Sequence, residues 1–113
     1  MAKAPQPGNA KDDFSRNIFL SFVRVHLLHH AAEGEIYGVE MLEELGHHGY
    51  SISPGTLYPI LHSMTRSGYL ECERRVVSGK VRKYYVATEA GKLALAEVRL
   101  KIRELTGEVL EPH

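Results

Sequence analysis

Apolar residues recur at helical spacing from Phe14 to Ala32, where Ile18, Phe19, Phe22, Val25 and Leu28 or His29 mark the stripe. A first helix is predicted there, capped by Asp12 or Asp13 and ended by Gly34. It is apolar on more than one face, so it can meet a partner subunit as well as its own core. A second helix is predicted from Tyr37 to His48, with Val39, Met41, Leu42 and Leu45 inward and Gly49 as its stop. Ser51-Ile52 reads as a brief extended link. The third helix starts with Ser53 as N-cap and Pro54 at its first position. Leu57, Ile60, Leu61 and Met64 form its inner stripe, and Gly68 ends it. Pro59 falls in the second turn, where a missing amide predicts a short start or a local bend.

The period then changes from helical to alternating. Tyr69 to Arg74 and Arg82 to Val86 read as two strands, with Ser78-Gly79-Lys80 as the turn between them. Thr88 caps a fourth helix that runs to about Leu110, with Gly91 and Gly107 weakening its two ends. Along it, Leu95, Val98, Ile102, Leu105 and Val109 form a heptad seam, widened by Leu93, Leu100 and Leu110. With Ile18 and Phe22 of the first helix, this seam predicts self-association into a homodimer. The predicted fold class is mainly α with a small β-hairpin, a winged helix-turn-helix. Its domains are a flexible N-terminal arm at 1–12, the winged helix-turn-helix at 13–87 and a C-terminal dimerisation helix at 88–111.

A chain of 113 residues fits one domain with a modest core, which gains from a partner. One cysteine, Cys72, excludes an internal disulfide and a cysteine-rich metal site. Between acidic neighbours, Cys72 is expected to be a small structural side chain rather than a thiolate. No apolar run approaches the length of a membrane span, and the N-terminus lacks the apolar segment of a secretory signal. A cytoplasmic protein with no membrane partner is expected.

Charge changes the picture by its distribution. The net charge is zero, which is unusual for a nucleic-acid binder. Yet Glu33 to Glu44 holds five glutamates and no Lys or Arg, while Ser51 to Tyr84 holds Arg66, Arg74, Arg75, Lys80, Arg82 and Lys83 against Glu71 and Glu73. One end of the domain can be positive while the whole is neutral. A helix of this length fits the major groove of DNA. The outward candidates on the third helix are Ser53, Gly55, Thr56, Tyr58, His62, Ser63 and Arg66. In the hairpin, Arg74, Arg75, Lys80, Arg82 and Lys83 cluster around the glycine turn, a wing suited to phosphate backbone or the minor groove, with Lys80, Arg82 and Lys83 as its candidate contacts. The partner read from these residues is double-stranded operator DNA. The alternative is a winged-helix adaptor that binds protein, which would account for net neutrality.

The runs IYGVEMLEEL, GTLYPILHSMTRSGYLE and RKYYVATEAGK closely resemble the PadR family of transcriptional regulators over roughly residues 14–110. The resemblance implies a winged-helix homodimer joined through its C-terminal helix, helped by the N-terminal one. It implies a repressor of transcription, released by a small aromatic effector. Tyr37 and Gly38 match the family's start of the second helix, and Gly55 to Pro59 match its recognition-helix core. Lys83 and Tyr84 match the second wing strand, and Tyr85, Thr88 and Gly91 match structural positions. Compact relatives that hold drugs do so between tryptophans, and this chain has none.

No enzyme is predicted, because no nucleophile-base pair, phosphate loop or metal-carboxylate cluster with useful spacing is present. No cofactor and no metal site are predicted. His26 and His30 lie one turn apart and can share a metal, but no cysteine completes a site and Glu33 is the only convenient carboxylate. The seven histidines are expected at the surface or the subunit interface.

Overall fold

The structure, a computed structural model, describes residues 10–112. Helix α1 spans Ala10–Glu33 and is followed by a two-residue strand β1, Ile36–Tyr37. Helices α2, Gly38–His47, and α3, Pro54–Arg66, form the helix-turn-helix pair. Strands β2, Leu70–Val77, and β3, Lys80–Ala87, make the hairpin, and helix α4 spans Glu89–Val109. The sheet has three strands in the order β1-β3-β2, all antiparallel.

Several boundaries differ from those predicted. Helix α1 begins at Ala10, so Asp12 and Asp13 lie inside it rather than capping it, and the arm at 1–12 is shortened. The rest of that arm lies outside the described residues. Both strands extend further than expected, because Ser78 and Gly79 take positive φ of 52° and 79° and close a tight two-residue turn. Tyr69 is not in the strand. Its amide donates to the carbonyl of Met64, closing α3 around Gly68 at φ 86°. Val39, expected inward, is exposed, while Gly38, Met41 and Leu45 carry the buried side of α2. Helix α3 runs on through Pro59. The carbonyl left without its amide partner belongs to Gly55, on the exposed side, where water can bond it. Ser53 holds the N-cap position, but its hydroxyl meets Thr56 Oγ1 at 3.3 Å instead of a backbone amide.

The core lies where the three helices meet the inner face of the sheet. Val23, Leu27 and Ala31 of α1, Met41 and Leu45 of α2, and Leu57 and Leu61 of α3 close around Leu70 and Tyr85. Strand alternation explains why Tyr85 is fully buried while Tyr84 is only half covered. Burial, with Cys72 beside it, pushes the Tyr85 hydroxyl up to about 12, so it stays neutral.

Thr88 joins the hairpin to α4. Its Oγ1 accepts from the Gly91 amide at 3.0 Å and donates to the Gly68 carbonyl at 2.6 Å. Its own amide donates to the Tyr69 carbonyl at 3.1 Å. Thr88→Val keeps the shape and deletes both hydroxyl bonds. It is expected to cost about 1–2 kcal/mol in a urea titration at fixed protein concentration.

Candidate nucleic-acid interface

The buried stripe of α3 is Leu57, Ile60, Leu61 and Met64. Opposite it, Gly55, Pro59, His62 and Arg66 form an exposed stripe at the same helical spacing. Gly55 presents bare backbone near the N-terminal turn, His62 a ring, and Arg66 a cation at the far end. Thr56 and Tyr58 flank the stripe and are half-buried, while Ser53 is exposed at the start. Tyr58 is held by a close approach. A Cβ on Gly38 would sit within 2.5 Å of Tyr58 ring carbons, so glycine there leaves room for the ring. This is the physical content of the Tyr37-Gly38 pair read in the sequence.

Between α3 and the hairpin runs a cleft lined by His62, Thr65, Arg66, Arg74 and Lys83, with Cys72 and Tyr85 at its side. Arg74 pairs with Lys83 across the strands, so both project on the same face as Tyr85. Arg74, one of the basic residues that the sequence clusters around the wing turn, thus lies on the cleft side. Alternation along the strands, counted outward from Tyr85, is the signal that points to it. A second cleft, nearer the hairpin tip, is lined by Tyr37, Tyr58, His62, Lys80, Arg82 and Lys83 among others. The two clefts share His62 and Lys83 in their linings, so cations of the helix and the wing border both.

The opposite face of the sheet uses its arginines differently. Arg75 makes a bidentate pair with Glu35, at 2.7 and 2.6 Å, and a further bond to Glu73 at 2.5 Å. Its guanidinium lies 4.4 Å from the Tyr84 ring centroid. Those bonds hold the Glu35 carboxyl below its usual range and the Arg75 guanidinium above its own. Arg82 lies 4.3 Å over the Tyr37 ring, and its Nη1 reaches the Tyr84 hydroxyl at 3.4 Å. Tyr37 and Tyr84 meet edge to face at 5.6 Å. This ladder fastens β1 to the hairpin. It also neutralises Arg75, so the positive surface is smaller than the count of basic residues implied. Arg82 keeps its charge but is committed to two tyrosines.

Two predicted residues lie elsewhere. Ser63 turns away from the clefts into a groove of about 320 Å³ between α1, α3 and α4, beside Leu28, Met64, Tyr69 and Val98. Leu95, expected in the intersubunit seam, is 3% exposed and belongs to the protomer's own core. The first turns of α4 lie against α1, which claims that part of the heptad. Further along, Ile102, Leu105 and Val109 are 46%, 55% and 64% exposed, and Ile18 and Phe22 on α1 are also exposed. Val98 is half-buried and lines the groove.

Among the described residues, two groups are able to offer metal ligands, His26 with His30 and His48, and His29 with His30 and Glu33. No helix among the described residues is long and apolar enough to cross a membrane.

The fold and sequence both have close counterparts. The transcriptional regulator PadR-like family matches residues 27–97. The chain is 52% identical over 88 residues to the transcriptional regulator Rv3488 of Mycobacterium tuberculosis, covering 78% of this chain and 82% of that one. A PadR family transcriptional regulator from Eggerthella lenta superposes with TM-score 0.70 at 29% identity, covering 91% of this chain and 97% of that one. A PadR-like transcription factor from Bacteroides fragilis shares the fold, with TM-score 0.76 at 23% identity over 87% and 96% of the two chains. The winged helix-turn-helix, with its hairpin set against α3 and its long terminal helix, belongs to a member of the PadR-like family of transcriptional regulators.

Proposed function

We propose that this regulator is a homodimeric repressor that holds double-stranded operator DNA with α3 in the major groove and the hairpin on the backbone. The observation that carries the reading is the exposed stripe of Gly55, Pro59, His62 and Arg66 bordering the cationic clefts. Ser53, Gly55 and Thr56 lead into the groove, His62 follows, and Arg66 meets phosphate. Lys80 at the tip, with Lys83 and Arg74 behind it, suits the adjacent backbone. Tyr58 offers its hydroxyl from the flank. Arg82 serves chiefly to hold Tyr37 and Tyr84. The exposed parts of α4 and α1 join two copies. A small aromatic effector that releases the DNA fits the apolar groove beside Leu28, Met64 and Val98, where Ser63 supplies a polar edge.

The charge reversal Lys80→Glu with Lys83→Glu tests this. Fluorescence anisotropy on labelled duplexes is expected to show weaker binding to every sequence. The slope of log affinity against log salt should fall by about 0.9 for each phosphate that the wing no longer neutralises. Circular dichroism should show the fold intact, since neither lysine is in the core. Unchanged affinity and slope would put the wing away from DNA. A parent protein that binds no duplex at low salt would return the reading to a protein-binding adaptor.

A further inference from the structure

We propose that His26, His30 and His48 form a site for a divalent transition metal of the zinc, cobalt or nickel class, tying α1 to the end of α2. His26 and His30 stand one turn apart on α1, both half-buried. His48 caps the C-terminus of α2 and brings its ring to 4.9 Å from that of His26, while the His26 and His30 rings are 6.4 Å apart. One nitrogen from each lies within 4.8 Å of the others. Metal–nitrogen bonds near 2.0–2.1 Å in a tetrahedron set the nitrogens about 3.3 Å apart. Small rotations close the difference, and His48 is exposed enough to make them.

The donor set chooses the metal class. Three imidazoles without a coordinating carboxylate suit borderline cations rather than magnesium or calcium. Burial, then the neighbouring His48, His30 and His29, holds the His26 imidazole below its usual range, which favours the neutral form. The Glu44 carboxylate lies 3.6 Å from His48 Nε2, where it can orient the ring and offset the ion's charge. A fourth position is left for water on the exposed side. The competing group of His29, His30 and Glu33 is less suited. Arg99 Nη2 sits 3.3 Å from His29 Nδ1, adding a cation where a metal would have to come.

Position gives the site a consequence. Helix α1 bears the exposed Ile18 and Phe22, and His48 is followed directly by the Gly49 turn that leads to α3. An ion across this junction fixes the angle between the two helices. Its effect on DNA affinity rests on the DNA reading above; the site itself does not.

The test uses the full chain without an affinity tag, stripped with chelator and titrated with zinc by calorimetry and with cobalt by visible absorption. One equivalent per chain is expected. His26→Ala and His48→Ala should each weaken it at least about tenfold, and Glu44→Gln by about tenfold. His29→Ala and the exposed His47→Ala should leave it unchanged. His48 lies at the surface, so its variant should keep the parent circular dichroism and separate ligation from folding. Absence of stoichiometric binding by the parent at micromolar metal overturns the site. So does a His48→Ala chain that binds as tightly as the parent, or loss of binding with His29→Ala. Zinc should also change duplex affinity in the parent and not in His48→Ala. An unchanged affinity in a chain that does bind zinc overturns the coupling. Should no duplex bind at all, the metal titration still decides the site.

Discussion

Replacing Gly91 with alanine is expected to destabilise the protein by at least about 3 kcal/mol, at the upper end of what overpacking costs. A Cβ there would lie 2.2 Å from the Tyr69 carbonyl oxygen and 3.2 Å from Leu28 Cδ1. The oxygen is backbone, and it already accepts the Thr88 amide. It cannot swing aside as a side-chain tip could. Three things meet at this point: the end of α3, the start of α4 and the α1 surface at Leu28. Relief requires α4 to lift, which breaks the Thr88 bonds to Gly91 and Gly68 as well. Gly107, in the same helix, has open space around it. Gly107→Ala should stabilise the chain, by up to about 1 kcal/mol, because only helix propensity changes. Urea titrations of the two variants at one protein concentration should therefore move in opposite directions. Equal small effects would mean that α4 is not seated on Tyr69.

That contrast marks the limit of what the sequence discloses. Propensity treats Gly91 and Gly107 alike, as weak points of a helix. Only the packed structure shows that one is a required close approach and the other an ordinary surface residue. The inner stripe of α3 was legible because four apolar residues repeat at the helical period. The turns at Gly49 and Gly68 were legible because both stop a helix at positive φ. Strand β1 was not, since two residues carry no period, and Ile36 and Tyr37 become a strand only by pairing with Tyr85 and Tyr84. The wing's basic residues were visible as a cluster, but not their division between faces. Glu35 lies far along the chain from Arg75 and neutralises it only after β1 has joined the sheet. His48 was likewise out of reach, because its nearness to His26 depends on the crossing of α1 and α2.

The largest effect on function is expected from Ile102→Asp combined with Leu105→Asp. Both side chains are about half exposed in the protomer, so the substitution should leave the isolated fold largely intact. Leu95→Asp would not, because that leucine is in the core. The elongated chain fits the proposed homodimer. It measures 59 × 31 × 26 Å, with a radius of gyration of 16.5 Å, whereas a compact chain of this length has about 13 Å. A helix of 21 residues is about 31 Å long, and its turns after Val98 are exposed apart from a half-buried Thr106. There they present Ile102, Leu105, Val109 and Leu110 to solvent. Burying what remains exposed of each such side chain against a second copy is worth about 1–2 kcal/mol, and a two-fold axis counts each of them twice. Four introduced carboxylates facing one another remove that gain and add repulsion. Light scattering at micromolar concentration should report a monomer, with far-ultraviolet dichroism unchanged. Operator affinity should then fall at least about a hundredfold, because two half-sites no longer bind as one unit. Half-sites read by a two-fold dimer lie about 34 Å apart, and the α3 of one chain can occupy one of them at a time. A stable dimer that keeps full affinity would place the interface elsewhere, and the exposed residues of α1, Ile18 and Phe22, would then have to carry it without α4.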